Sequence, residues 1–204
     1  MVDERERLAA VLAAIDAANA RDPGQVEIDS RPEPGALVYG RRMSETLARL
    51  APDASEHLRI AVRGQHIERW SLPRQRYPAG RIGYLQWRKH LQELHARRVG
   101  EIMARAGYDT DAVGRVGALL RKERLKSDGE AQLLEDVACL VFLEHYLADF
   151  AAKTDEGKLA GILAKTWRKM SERGQAHARS LSLAPQASAL VANAIAQFRS
   201  ASSE

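Results

Sequence analysis

The chain has 204 residues, 45% of them apolar, and 31 Lys and Arg against 27 Asp and Glu, for a formal net charge of +4. That is enough for one domain with a real core, and the dominance of Ala, Leu, Arg and Glu favours helix. The absence of an eighteen-residue apolar run excludes a transmembrane helix, and the single cysteine, Cys139, excludes an internal disulfide and fits a reducing cytoplasm.

The charged segment from Met1 to Arg7 reads as the start of a helix rather than a signal peptide, with Leu8, Val11, Leu12 and Ile15 at helical spacing over 3–20. Arg21-Asp22-Pro23-Gly24 ends that helix, a Pro-rich connector follows, and a second helix runs over 35–50. Asp53-Ala54-Ser55-Glu56 is a capping box for a third helix over 54–70. Ser71 to Gly80, with two prolines, reads as an ordered loop before a long helix over 81–106. Asp109-Thr110 caps a helix over 111–126, and the most apolar helix spans 130–152. Thr154 or Asp155 caps the next, to about residue 179, and Pro185 begins a last amphipathic helix. The expectation is an all-α fold, a compact multi-helix bundle of about eight helices with no convincing strand, forming a single domain over 1–204.

Charge is unevenly spread. Between Arg63 and Arg98 nine Lys or Arg face two acids, Glu68 and Glu93, which points to an anionic partner such as a phosphate, a nucleotide or RNA. Trp70, Tyr77, Tyr84 and Trp87 interleave with the arginines there; they read first as core and loop residues, and otherwise as faces on which bases stack.

Three polar residues occupy inward helical positions. His66 follows Leu58 and Val62 at steps of four. His95 continues the stripe Trp87-Leu91, and Asp136 shares a face with Leu133, Leu140 and Leu143. Buried polar groups need partners, so the three point to a shared site. Imidazoles and a carboxylate suit a divalent transition metal (manganese, iron or zinc), whose bound water attacks a phosphoryl group. Arg69, Arg74, Arg88, Lys89, Lys122 and Lys126 are candidates to hold the substrate phosphates.

Several segments together resemble a family. They are His95-Ala96 with Glu101-Ile102-Met103 and Gly107-Tyr108, then Val116, Leu119-Leu120 and Lys122, then Glu130-Ala131-Gln132-Leu133-Leu134-Glu135-Asp136. This pattern resembles the second half of HD-domain phosphohydrolases, and Gln65-His66-Ile67-Glu68-Arg69-Trp70 resembles their first metal-histidine segment. The resemblance covers roughly residues 58 to 150 and implies an HD-like core over 54–152 with a helical extension over 154–204. It further implies His66 and Asp136 as metal ligands and His95 as a second-site or phosphate-facing histidine. Glu135 becomes a supporting carboxylate or general base. No His-Asp dipeptide occurs in the chain, so the alternative is a degenerate, non-catalytic nucleotide- or RNA-binding site in which Lys122 takes the metal's charge role beside Asp136.

The whole chain is also similar to a bacterial and fungal helical family of unknown function. The resemblance rests on Gln65 to Trp70, Pro73-Arg74 with Tyr77-Pro78, Gly83 to Arg88, Leu134 to Glu144 and Lys165 to Ser171. Lys169-Met170-Ser171 echoes the signature loop of class I aminoacyl-tRNA synthetases, but that loop belongs to an α/β nucleotide-binding domain that a helical pattern does not supply.

Overall fold

Helix α1 (Glu4–Asn19) begins where the Asp3 carboxylate accepts the Arg5 backbone N–H at 3.4 Å, and it buries Val11 and Ile15 completely. The structure, a computed structural model, describes residues 3–125, 127–183 and 188–192; Lys126 and the expected helix start at Pro185 lie outside them. Within that range the chain divides into two units, 1–131 and 132–204, with the boundary inside helix α6 (Gly129–His145).

The expected connector after α1 contains a hairpin. Strands β1 (Gln25–Ile28) and β2 (Arg31–Pro34) pair antiparallel, with Val26 opposite Glu33 and Glu27 opposite Pro32. Asp29 and Ser30 both take left-handed φ, 48° and 63°, the backbone of a tight two-residue turn. Two prolines in a four-residue strand and a turn without glycine or asparagine hide this hairpin from pattern reading. The hairpin feeds helix α2 (Gly35–Leu50), whose Ala36 N–H is capped from a distance by Asp22 Oδ2 at 2.8 Å.

Helix α3 (Glu56–Gly64) is the centre of the first unit and packs against α1, α2, helix α4 (Gly80–Arg105) and helix α5 (Thr110–Arg121). Its cap is Ser55, whose Oγ accepts the Leu58 N–H at 3.1 Å. The helix ends at Gly64, short of the expected residue 70. The chain then tightens into i to i+3 bonds, from Ile67 N–H to the Gly64 carbonyl and from Arg69 N–H to the His66 carbonyl. Glu68 takes a left-handed φ of 50°, and two single 3₁₀ turns follow at Arg69–Ser71 and Arg74–Arg76.

Gly64 and Gly83 are needed for close approach. A Cβ at Gly64 would lie 2.4 Å from Val99 Cγ2 on α4, and one at Gly83 would lie 2.0 Å from the Pro78 carbonyl oxygen. The first unit closes on a charge cluster, where Arg115 pairs with Asp128 and Glu130. Arg115 first, then the backbone N–H groups of Ala131 and Glu130, hold the Asp128 carboxyl down to about 2.

In the second unit, the expected helices over 130–152 and 154–179 are each broken. Helix α6 stops at His145, and helix α7 (Leu147–Ala151) follows. Helix α8 (Glu156–Lys169) stops at an extended Met170, and helix α9 (Glu172–Arg179) restarts from Ser171. Among the described residues, eleven helical elements, two of them single 3₁₀ turns, stand in place of the expected eight. No described helix is long and apolar enough to cross a membrane.

The Gly64 contact sets a prediction for the first unit. Gly64→Ala drives a methyl into Val99 at the α3–α4 crossing and should destabilise the fold by about 1–3 kcal/mol, read as a lower midpoint in urea unfolding.

Candidate functional site

The turn from Gly64 to Ser71 brings two of the three inward polar residues together. The rings of His66 and His95 have centroids 6.0 Å apart. His66 stacks on Tyr39 of α2 at 4.1 Å, with the rings 15° from parallel. Arg69 Nη1 donates to His66 Nε2 at 3.2 Å, which leaves the neutral ring's proton on Nδ1. The Arg69 guanidinium also lies over the Trp87 ring, 4.6 Å from its centroid. Trp87 Nε1 in turn donates to the Leu72 carbonyl at 2.8 Å, fastening the turn to α4.

His95 is buried on α4, and its Nδ1–H donates to the Ile67 carbonyl at 2.8 Å. A carbonyl only accepts, so this bond fixes the tautomer and places the neutral ring's lone pair on Nε2. Nε2 is buried and meets no hydrogen-bond donor among the described residues.

The electrostatics of this corner are one-sided. Burial first, then the charges of Arg69, Lys122 and Arg88 together with neighbouring His95, keep His66 well below the usual imidazole range. Burial likewise pushes His95 down to about 4, against the Ile67 bond, with Arg69 adding to the depression. Desolvation also lowers Arg69, whose guanidinium stays protonated. Glu68, the nearest acid in sequence, is engaged elsewhere. It accepts from Arg98 at 2.6 Å and from Arg21 at 2.8 Å, and the Arg98 bond foremost holds its carboxyl down. Arg69 and Arg88 make no ion pair with a carboxylate among the described residues.

The other expected phosphate ligands separate. Arg74 turns its guanidinium onto the carbonyls of Tyr77, Pro78 and Gly80, so it holds the loop. Lys89 is exposed on α4. Lys122 caps α5 in a left-handed conformation, φ 58°, and its charge acts on His66. Tyr77 bonds His90 Nδ1 at 2.7 Å, so the loop is ordered as expected.

Asp136 belongs to the second unit and is fully buried there. Oδ1 accepts from the Ser171 N–H at 2.8 Å and from Gln132 Nε2 at 2.9 Å, while Oδ2 accepts from the Ser171 hydroxyl. The α9 backbone comes so close that a Cβ at Gly174 would lie 2.7 Å from Asp136 Cγ. Asp136 therefore clamps the α8–α9 corner. Glu135 pairs with Lys169 at 3.2 Å, so Lys169-Met170-Ser171 is a structural corner whose lysine and serine answer two acids of α6. Among the described residues no group of three His, Cys, Asp or Glu side chains is arranged to hold a metal ion.

Tyr39 was not marked by any pattern in the sequence. It lies in an ordinary amphipathic stretch of α2, and only the packing of α2 on α3 brings it to His66.

The fold and this corner define a mostly helical protein whose first unit gathers two neutral imidazoles among cationic side chains. The chain belongs to the domain of unknown function family DUF4202, whose model matches residues 9–191. No curated protein and no solved structure matches it.

Two predictions follow from the imidazoles and the Asp136 clamp. Unfolded histidines take up a proton near pH 6.5, whereas the folded pair resists it. Their stabilisation is therefore full above about pH 6.5 and is lost as pH falls toward 4. The melting temperature should drop between pH 6.5 and 5, and His95→Gln should flatten that slope by about 1–2 kcal/mol over the interval. Asp136→Ala leaves the Ser171 and Gln132 donors unanswered in a buried place and should reduce stability by about 2–4 kcal/mol in chemical denaturation.

Proposed function

We propose that the first unit binds a phosphate-bearing anion, a nucleotide or another small phosphate ester, at the corner formed by His66, Arg69, Arg88, Lys122 and His95. The observation that carries this reading is Arg69. It is partly desolvated against Trp87, hydrogen-bonded only to a neutral imidazole, and without a carboxylate among the described residues. A guanidinium removed from water and left without a counter-ion favours an anion from outside, and its planar fork suits phosphate oxygens. Arg88 and Lys122 add to the same field at His66. Tyr84, 43% exposed and bordering Arg88 and Trp87, offers a face for a nucleobase.

A second reading is hydrolysis of the bound ester, as the HD-like resemblance implies. It rests on that resemblance, in which His95 faces the metal or the phosphate, and the tautomer of His95 leaves the Nε2 lone pair to do so. In this reading Arg69 and Arg88 hold the phosphoryl oxygens and stabilise the charge that develops on them. An RNA strand bound along the basic segment is the third partner to separate, and it would show steep salt dependence.

The test is calorimetric titration of the full chain with inorganic phosphate, adenosine monophosphate and adenosine triphosphate, beside Arg69→Gln and Arg88→Gln checked for fold by circular dichroism. At least one phosphate compound should bind, with a loss of about tenfold or more in each folded arginine variant. No binding by any compound, or affinity unchanged in both variants, overturns the proposal.

A further inference from the structure

Arg69 and His95 make opposite demands on a ligand. Arg69 is donor-only and asks for anionic oxygens. His95 has given its N–H to the Ile67 carbonyl at 2.8 Å, so what it offers is a lone pair. That acceptor is buried, in a residue 3% exposed, and has no donor among the described residues. It sits on a ring 6.0 Å from His66, whose Nε2 takes Arg69 Nη1 at 3.2 Å. A tetrahedral anion that reached both would meet donors from the guanidinium and an acceptor from the imidazole.

Sulfate and phosphate differ on this point. Near neutral pH sulfate presents only acceptor oxygens, so one of them would oppose the Nε2 lone pair. Inorganic phosphate keeps an O–H in both its monoanion and dianion, and a phosphate monoester keeps one below about pH 6. A buried acceptor facing another acceptor is penalised far more than a satisfied one is rewarded, so the mismatch discriminates.

Resting on the reading of this corner as an anion site, we infer that it selects a phosphoryl group carrying a hydrogen over a fully deprotonated tetrahedral anion. The P–O–H donates to His95 Nε2, and the charged oxygens accept from Arg69 and Arg88. His95 is the specificity-determining residue, acting as a hydrogen-bond acceptor.

The experiment is isothermal titration of the full chain with inorganic phosphate and with sulfate at pH 7.5 and equal ionic strength. It is repeated with His95→Phe, and with adenosine monophosphate at pH 5.5 and pH 8. Phosphate should bind about tenfold more tightly than sulfate or better, and in His95→Phe that preference should disappear. Adenosine monophosphate should weaken by about tenfold from pH 5.5 to pH 8 as its phosphoryl proton is lost, the reverse of what bare attraction to cations gives. If it binds at neither pH while phosphate keeps its preference over sulfate, the free ion is the ligand and the selection stands. Sulfate binding as tightly as phosphate in the wild-type chain overturns the selection and leaves an unselective anion site, a comparison that does not depend on the variant folding. Binding by none of the three removes the anion site itself.

Discussion

The hydrogen bond from His95 Nδ1 to the Ile67 carbonyl organises the corner of the first unit. It satisfies a carbonyl in a turn that has left α3 and has no helical partner to offer. It chooses the imidazole tautomer and fastens the turn to the middle of α4. With the Trp87 bond to Leu72, it fixes both ends of the segment that carries Arg69. Arg69 then has little choice of position, between the Trp87 face and the His66 ring. The side chains of this corner are thus held in place by packing and by bonds to the backbone.

The second unit solves a different problem with the same economy. Asp136 brings a carboxylate into an apolar helix, and the donors that answer it all come from its own helix and from the α8–α9 corner. One residue, Ser171, both donates to Asp136 and accepts the Gly174 N–H at 3.1 Å as the cap of α9. The corner thus depends on a contact 35 residues apart in sequence, which explains why Met170 is extended where periodicity alone continues the helix.

Helix starts were legible because their signals are local. Asp109 and Asp155 each cap a helix through a neighbouring N–H, and both are among the caps that sequence spacing offers, whereas α3 is capped by Ser55, two residues past the Asp53 that opens the capping box. The inward phase of His95 and Asp136 was legible for a similar reason, and both are buried. Phase reports burial, however, and not company. That Asp136 answers Ser171, that His66 meets Tyr39, and that Arg74 turns back onto its own loop are outcomes of tertiary packing between segments far apart or folded by tight turns. The hairpin after α1 was hidden because Asp29 and Ser30 adopt left-handed backbone without the residues that usually announce it.

The left-handed turn at Glu68 bears on how this region tolerates change. Consecutive residues 68 and 69 carry opposite charges and send them to different neighbourhoods, the acid to Arg98 and Arg21 and the guanidinium to His66. That division is held by one backbone angle, itself pinned where the Asn19 amide oxygen accepts the Glu68 N–H at 3.2 Å. The segment is therefore sensitive to length more than to composition. Inserting or deleting a single residue between His66 and Arg69 would break the register in which the acid meets Arg98 and the guanidinium meets the imidazole.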